Sequence, residues 1–536
     1  MKKVFQIFMV FVMVLSLTAC GSNSGGSTAE SSSAADNAES NTGDNSVSVE
    51  DAGDETSAAN DPITFTIFID HSWFWFDSWG NDDISKEITK RTGVSFEIVR
   101  ATDDQQLALL IAAGDLPDFI YTSTKQTMTL LEDSNVCYSY NELIDRTGVD
   151  IHASDTEIRN NKAEDGNFYA LRNANVSQEV VDAGQNYDAG KSIAYRTDIY
   201  EAIGSPELKT LEDLENALVA AKELYPEVIP LLNNGNLWYF AEQLGIAGTS
   251  SVGYNSDGEV CYGLNIDGIE EYFALLNRFA RKGLIDAEAQ TYNFDRFSEV
   301  RNSGRSFMQL RSCDEAAVSN LSAAEAGTGY TWKLLTNELS DNAVVSANTG
   351  IGWSGTYISK NCSDPERAIE FMSWCRSEEG RKLCSWGIQG DHWDYNEQGQ
   401  TVYTESYQAG IAEGKRMQDD FGIGVWIFGD QGDEKAFIDY AVTDPQSADI
   451  IAKRQSGAQH STIMSELYFA IPTSGDELTI YNALEDIYSS EFLKVIFAET
   501  DEEYEAALSN WYKQADQLGI DKLEAWMRNA VAEYWK

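Results

Sequence analysis

The chain has 536 residues, and its 87 acidic against 38 basic side chains give a formal net charge of −49 at pH 7. A surface this negative disfavours nucleic acids and anionic lipid headgroups as partners. One hydrophobic core does not usually organise so many residues, so we expect two or three domains or lobes.

The N-terminal segment has the features of an exported, lipid-anchored protein. Two lysines precede an apolar run over residues 4–17, which is too short for a membrane span and fits a secretory signal. The run ends in LTAC at 17–20, which resembles the bacterial lipobox. We therefore expect residues 1–19 to be removed and Cys20 to carry two acyl chains, enough for stable anchoring. The alternative is an ordinary signal peptide cleaved after Ala19.

A polar segment follows the expected lipidation site. Residues 21–60 contain no Lys or Arg and almost no large apolar side chain. Such a composition cannot bury enough surface to offset the entropy of ordering. We assign 20–61 to a lipidated, disordered tether, and we expect the membrane to be contacted through this anchor only.

The folded part opens with alternating strands and helices. Apolar residues recur with period two over 63–69, which predicts a strand. A helix near 83–92, a strand at 94–99, a helix at 105–113 ended by a glycine, and a buried strand at 116–121 follow. This alternation predicts an α/β fold with a mostly parallel sheet.

Cap motifs predict further helices along the chain. Thr210 with Asp213, Asp267 with Glu270, and Asp364 before a proline are typical helix starts. The last ~55 residues have the periodicity of two or three more helices. The NSDG sequence at 255–258 favours a hairpin over a calcium loop, because the later glutamate of an EF-hand loop is missing.

Motifs of known catalytic and metal sites are missing from the sequence. The four histidines are not at metal-ligand spacing, and no GxSxG, P-loop or HExxH sequence occurs. After Cys20, six cysteines remain without a CxxC pair, and disulfides among them stay open. A glycosidase needs only two carboxylates, and 87 candidates make that test uninformative. We predict no enzyme activity, no cofactor and no metal.

Aromatic residues are the most informative feature. The chain has 13 Trp, and several lie in predicted loops rather than on periodic stripes. An indole can cover the apolar face of a sugar ring while polar groups bond the hydroxyls. Packing in the core is the alternative for each of them. The candidate ligand-binding aromatics are Trp73, Trp75, Trp79, Trp238, Tyr239, Trp353, Trp386 and Trp393.

Separated segments together resemble one family, the extracellular solute-binding lipoproteins (family 1) of carbohydrate ABC transporters, in particular the large Gram-positive subgroup for oligosaccharides. Besides the lipobox, the similar segments are AAGDLPD at 112–118, AYRTD at 194–198, WSGTYIS at 353–359, DPERA at 364–368, SEEG at 377–380, and the tail at 497–519. The resemblance spans nearly the whole chain after residue 60.

The resemblance implies a two-lobe type II periplasmic-binding-protein fold with hinge strands and a ligand cleft between the lobes. We expect lobe 1 to comprise 62–180 and about 313–387, and lobe 2 to comprise about 181–312 and about 388–536. Asp118, early in the GDLPD strand, could reach the cleft or serve in a turn. Arg311, after a hinge strand predicted at 306–310, could pair with a uronate carboxylate or form a surface ion pair.

The implied function is extracellular binding of an oligosaccharide, of the plant cell-wall or pectin type, and its delivery to an ABC import permease. The expected location is the outer face of the cell membrane, and the expected state is a monomer. Two alternatives stay open: a surface glycosidase or lyase, and a receptor for a non-sugar solute such as a peptide.

Overall fold

The computed structural model describes residues 61–71, 74–76, 78–103, 105–173, 191–312, 315–347, 350–425, 427–429 and 445–535. The predicted signal peptide, Cys20 and the tether up to residue 60 lie outside the described residues. The described part falls within one unit, Ala58–Lys536.

The strands are numbered in chain order. Their bounds are β1 Ile63–Ile69, β2 Val94–Arg100, β3 Phe119–Thr122, β4 Cys137–Tyr138, β5 Lys191–Arg196, β6 Ile229–Leu232, β7 Val252–Tyr254, β8 Val260–Tyr262, β9 Ser306–Ser312, β10 Trp332–Leu334, β11 Val345–Ala347, β12 Gly355–Ser359, β13 Trp393–Tyr395, β14 Thr401–Tyr403 and β15 Ser461–Ile463.

The α-helices are numbered in the same way. Their bounds are α1 Asp83–Thr92, α2 Gln106–Ala113, α3 Lys125–Leu131, α4 Tyr140–Thr147, α5 Asp155–Asn160, α6 Thr197–Ala202, α7 Leu211–Leu224, α8 Tyr239–Gln243, α9 Ile269–Arg281, α10 Phe294–Asn302, α11 Glu315–Glu325, α12 Pro365–Arg376, α13 Glu378–Trp386, α14 Glu405–Ala412, α15 Pro445–Gln459, α16 Ser465–Phe469, α17 Gly475–Ile496, α18 Asp501–Leu518 and α19 Ile520–Tyr534.

The first sheet is built from the predicted strand–helix alternation. Its order is β2-β1-β3-β12-β4, and β2 and β3 both pair with β1 in parallel. The later strand β12 returns antiparallel to β3, with Gly355 opposite Thr122. The predicted strand at 63–69 is confirmed: Phe65, Ile67 and Ile69 are buried, as the period-two pattern required.

The second sheet has the order β10-β5-β9-β6. β6 runs parallel to β9, whereas β5 and β10 run antiparallel to their neighbours. The segment 306–310, predicted as a hinge strand, lies in β9 between β5 and β6. It is therefore an interior strand of this sheet.

Two large hydrophobic cores surround the two sheets. The first takes its side chains from 65–171 and 358–428. The second takes them from 193–310 and 335–527. The predicted boundaries after 312 and 387 differ from this division. Residues 332–334 pair with β5 in the second sheet, and 388–428 pack into the first core.

The helix caps show which local sequence signals correctly predicted the start of a helix. Thr210 and Asp213 form the predicted capping box at the start of α7, and Asp364 caps α12. The predicted cap Asp267 is wrong, because α9 begins after Gly268, whose φ of 80° places it in the left-handed region. The C-terminal helices α17, α18 and α19 are confirmed.

The segment at 255–258 forms the predicted hairpin, since β7 and β8 pair antiparallel on either side of it. Asn255 accepts hydrogen bonds through its side chain from the backbone N–H groups of Asp257 and Glu259, which closes the turn. Within the described ranges, none of the helices has both the length and the apolar character needed to cross a bilayer.

Candidate functional site

The candidate site lies where the parallel strands of each sheet end. In open α/β folds, ligands bind outside the carboxyl ends of the strands. In the first sheet, Asp70 and His71 follow β1, and Thr122 ends β3. Because β12 is antiparallel, the residues that precede it, Trp353 and Ser354, reach the same edge.

Trp353 is the exposed aromatic ring at this edge. Its side chain is 44% exposed, and its ring centroid lies 6.3 Å from that of His71. His71 in turn packs edge-on against the buried Tyr121, with centroids 5.6 Å apart. The three rings form a continuous aromatic surface from the core to solvent, which we call the edge platform (His71, Tyr121 and Trp353). Such a surface can cover the apolar face of a sugar ring.

A buried hydrogen-bond network holds the platform in place. The Tyr121 hydroxyl donates to Ser354 Oγ at 2.9 Å, and the Ser354 hydroxyl donates to Asn173 Oδ1. The backbone of Asn173 also pairs with that of Ser354, through an N–H···O bond of 2.9 Å. The segment that carries Trp353 is therefore attached to both β3 and residue 173.

Close backbone contact adds to this fixation. A Cβ atom on Gly352 would lie 1.6 Å from the carbonyl oxygen of Asn173. Only glycine at position 352 allows the two backbone segments to approach so closely. Trp353 thus follows a residue that cannot carry a side chain in this arrangement.

Polar and aromatic side chains line the matching edge of the second sheet. Asn233 and Asn234 follow β6, and Arg311 lies near the end of β9. An Arg311 guanidinium N–H donates to Asn234 Oδ1 at 3.2 Å, and its central carbon lies 5.0 Å from the Phe294 ring centroid. Arg311 is thus packed on a ring and hydrogen-bonded, so its planar N–H groups have a defined orientation.

Unused hydrogen-bonding capacity is also present at this edge. Among the described residues, Asn233 Nδ2 and Gln309 Oε1 are buried and have no hydrogen-bond partner. Register pairs Leu232, the residue before Asn233, with Gln309. Buried polar groups are normally satisfied, so these atoms are candidates for water or ligand contacts.

The tryptophans that follow β1 have different surroundings. Trp75 is half-buried and stacks on Phe74, with centroids 5.9 Å apart and an interplanar angle of 18°. Its Nε1 has no acceptor among the described residues. Trp79 packs against the first core, and its Nε1–H donates to Thr89 Oγ1 at 2.7 Å. The predicted ligand residue Trp73 lies outside the described residues.

Four predicted ligand residues are buried: Trp238, Tyr239, Trp386 and Trp393. The Trp238 indole N–H donates to the Gly248 carbonyl at 3.0 Å inside the second core. Trp386 and Trp393 pack edge to face with centroids 4.9 Å apart. Their rings are covered by neighbouring side chains, which agrees with the core-packing alternative for these residues.

Asp118 has the turn role that the sequence left open. It precedes β3, at the opposite end of the strand from the edge platform. Its Oδ2 accepts from the Thr66 N–H and hydroxyl at 2.7 Å each, and its Oδ1 accepts from the Ser363 N–H at 2.7 Å. Burial alone would raise its pKa, but these hydrogen bonds hold the pKa of Asp118 below the usual value. These contacts favour the turn role for Asp118.

Several residues of the site were not identified from the sequence. His71 and Tyr121 belong to the platform, and Ser354 and Asn173 support it. The position of His71 directly after a predicted strand was a usable signal. The roles of Asn173 and Ser354 depend on contacts between segments 181 residues apart, which periodicity cannot reveal. In the described ranges, no group of three or more His, Cys, Asp or Glu side chains is placed to hold a metal ion.

No protein-family model matches the sequence, and no curated protein does either. Solved structures do match. The alginate-binding protein AlgQ2, in a calcium-free crystal structure, has a TM-score of 0.64 at 16% identity, covering 89% of this chain and 99% of that one. A solute-binding protein of Bifidobacterium longum infantis, described as HMO-binding and ABC-transporter associated, has a TM-score of 0.61 at 15% identity, covering 89% and 99%.

The substrate-binding protein FusA of the S. pneumoniae ABC transporter, in complex with kestose, has a TM-score of 0.62 at 16% identity and covers 88% of this chain and 99% of that one. These three structural neighbours are carbohydrate-binding proteins, and two of them are described as solute- or substrate-binding proteins of ABC transporters. The chain therefore has their mixed α/β, two-lobe fold with a cleft between the lobes, as the sequence predicted.

Proposed function

We propose that this protein is an extracellular receptor that binds an oligosaccharide between its two lobes and delivers it to an ABC import permease. One observation carries the proposal: an exposed indole at the strand-end edge, fixed beside His71 by a buried network. The fold supports it, since the named structural neighbours bind glycans. The proposed ligand is a plant cell-wall or pectin-type oligosaccharide.

The edges of both sheets are suited to binding rather than to turnover. The first edge offers aromatic faces, and the second offers amide groups and one oriented guanidinium. Aromatic faces with a few convergent polar groups are typical of glycan-binding clefts. We therefore propose a receptor that acts as a monomer without enzymatic activity, and the structural neighbours named above are likewise binding proteins.

A direct test is titration of the protein, carrying Cys20→Ala to prevent lipidation, with pectin, xylan and mannan oligosaccharides. We expect saturable binding of at least one class by calorimetry, with no shortening of the glycan after prolonged incubation. A response to peptides and to none of the glycans would contradict the proposal. Glycan cleavage by the purified protein would instead establish a glycosidase or lyase.

Trp353→Ala is expected to weaken glycan binding by about 1–3 kcal/mol, the scale of burying one large apolar side chain. Isothermal titration with the best ligand measures the change in Kd. Trp535→Ala is the matched control, because Trp535 is 65% exposed and its ring packs against Tyr534 of α19. Equal affinity of Trp353→Ala and the unaltered protein, with both folded, would remove Trp353 from the site.

The membrane anchor is part of the proposal and rests on the sequence at 17–20. We expect radiolabelled palmitate to be incorporated into the protein in living cells and Cys20→Ser to abolish the label. The variant should then appear in the culture medium instead of the membrane fraction. Labelling that survives Cys20→Ser would contradict the assignment of the lipid to this residue.

A further inference from the structure

A second cluster of interactions connects the two lobes next to the residues that support the edge platform. The short helix α16 belongs to the second core, to which Met464, Leu467 and Ala470 contribute. Tyr468 of the same helix instead contacts Lys125 and Arg172, which belong to the first lobe. One aromatic ring of the second lobe thus lies against two cations of the first.

The contacts around this ring are specific. Lys125 Nζ lies 4.3 Å from the Tyr468 ring centroid, and the guanidinium carbon of Arg172 lies 4.7 Å from it. Lys125 Nζ also donates to the backbone carbonyls of Tyr468 and Ile471, at 3.2 and 3.0 Å. These carbonyls lie at the C-terminal end of α16, where a lysine amine is a favourable partner. We call this arrangement the Tyr468 joint (Lys125, Arg172, Tyr468 and the Ile471 carbonyl).

Acidic and hydroxyl groups of the first lobe hold the Arg172 guanidinium in place. An Arg172 guanidinium N–H bonds to Glu132 Oε1 at 3.0 Å, and the Tyr357 hydroxyl donates to the same oxygen at 3.3 Å. Arg172 is buried, so this ion pair fixes its guanidinium rather than leaving it in solvent. The joint therefore has a rigid first-lobe side and a second-lobe side made of one short helix.

The joint lies beside the segments that pass between the lobes. β15 ends at Ile463, only five residues before Tyr468, and pairs in parallel with β11. Arg172 precedes Asn173, the residue paired with Ser354. A contact at this position resists or guides rotation of one lobe against the other, as hinge-side contacts do in domain closure.

The chemistry of the joint suits a pivot. Attraction between a cation and an aromatic face lacks the strict angular requirement of a hydrogen bond, so the ring can turn while contact is kept. Arg172 stays charged at all accessible pH values. Burial, and then the charge of Arg172, lower the pKa of Lys125 to about 7, although Glu132 opposes this. Either form of the amine can donate to the two carbonyls.

We propose that the Tyr468 joint is the pivot between the lobes and sets how far the cleft opens. The proposal concerns the motion of the lobes and goes beyond the proposed function, since it holds for any ligand. Removing the aromatic ring should free the lobes to sample a wider range of separations. Removing only its hydroxyl should have a smaller effect, because the ring and the backbone make the contacts with Lys125, whereas the hydroxyl is hydrogen-bonded to Arg172.

Protonation gives the joint a pH dependence of known sign. In this arrangement Lys125 has a pKa of about 7, whereas an exposed lysine titrates near the usual 10.5. Between these values the separated state binds more protons than the joined state, so acidification from pH 9.5 to 7 favours separation. Glu132, Arg172, Tyr357 and Tyr468 are the other ionisable groups that face Lys125, and burial raises the pKa of Glu132 and Tyr468.

The test is a distance measurement between spin labels on the two lobes of the full-length protein in detergent. Leu109→Cys on α2 and Leu224→Cys on α7 place labels at exposed positions, one on each lobe. The background carries Cys313→Ser, and the described native cysteines, Cys137, Cys261, Cys362, Cys375 and Cys384, are buried. Tyr468→Leu is compared with Tyr468→Phe and with Tyr395→Leu, a change at an exposed tyrosine of β13.

We expect Tyr468→Leu to broaden the distance distribution and shift it outward, Tyr468→Phe to have a smaller effect, and Tyr395→Leu to leave the distribution unchanged. Lys125→Met should broaden the distance distribution less than Tyr468→Leu does. It should also abolish the shift of the distribution that the unaltered protein shows between pH 9.5 and 7. If Tyr468→Leu fails to fold by circular dichroism, Lys125→Met decides. The proposal would be overturned if the folded Tyr468→Leu protein had the same distance distribution as the unaltered protein. It would also be overturned if Lys125→Met matched the unaltered protein at both pH values. Both outcomes count whether or not a glycan ligand is found.

Discussion

Gly352→Ala is expected to lower the free energy of unfolding by about 3 kcal/mol or more and also to weaken glycan binding. Overpacking by one methyl group usually costs about 1–3 kcal/mol when side chains can move aside. Here the added Cβ would lie 1.6 Å from the carbonyl oxygen of Asn173, and backbone atoms cannot yield without moving residue 173 or the Trp353 segment. Chemical denaturation measures the first effect, and titration under native conditions measures the second.

Gly355→Ala is a matched control for this change. It lies three residues further along, and its Cβ would meet the Ala170 methyl carbon at 3.1 Å and a Tyr357 ring carbon at 3.4 Å. Side chains can shift by the few tenths of an ångström required, so a smaller loss is expected. If Gly352→Ala were no more destabilising than Gly355→Ala, this would contradict the explanation that close backbone contact between residues 173 and 352 excludes a side chain at 352.

Glu157→Gln is expected to lower the free energy of unfolding by about 3–5 kcal/mol, because it leaves a buried guanidinium without its counter-charge. Glu157 Oε1 and Arg376 Nη2 lie 2.6 Å apart, and both side chains are buried. Arg376 also donates through Nε to the Ile151 carbonyl at 3.1 Å, so it cannot turn towards water without losing that bond. Denaturant unfolding followed by circular dichroism measures the change.

Glu299→Gln provides the comparison at the surface. Glu299 and Arg296 lie 2.7 Å apart, a distance close to that of the buried pair, but both side chains are exposed. Exposed ion pairs contribute little to stability, so the unfolding midpoint should barely move. Similar midpoints for the Glu157 and Glu299 variants would show that the buried pair does not stabilise the first lobe.

The same ion pair also supports the segment that carries the proposed glycan site. Glu157 lies in α5, and Asn161, just after this helix, donates through Nδ2 to the Gly350 carbonyl at 3.1 Å. Gly350 lies three residues before Trp353. A loosened α5 would therefore loosen the segment that carries the exposed indole.

Local features of the fold were predictable from the sequence because they depend on neighbours along the chain. The alternation in β1, the capping box at Thr210 and the cap at Asp364 each involve residues within a few positions. Asp267 shows the limit of this approach. It has the composition of a cap, but Gly268 can adopt positive φ and takes the cap position.

The division into lobes was only partly predictable. β10 joins the second sheet by pairing Trp332 with Arg196, a partner 136 residues earlier in the chain. Nothing in the local pattern of 332–334 distinguishes this partner from one in the first sheet. The predicted change of lobe at 312 does not account for the pairing of β10 with β5 for this reason.

The candidate site was recognisable by residue type but not by individual position. Tryptophans in loop-like sequence suggested a platform, and Trp353 is exposed at a strand-end edge. Trp238 also follows a segment rich in Asn and Gly, yet its indole is buried in the second core, where its N–H donates to the Gly248 carbonyl. Exposure depends on which segments pack above a ring, and composition does not encode that.

The attachment of Trp353 has a consequence for the order of events during ligand capture. Its segment is fastened to Tyr121 and Asn173, and both belong to the first lobe. A glycan that reaches an open receptor would therefore meet a finished docking face on one half of the molecule. Closure of the second lobe would then enclose the ligand. Initial binding and final retention of the ligand would therefore depend on different residues.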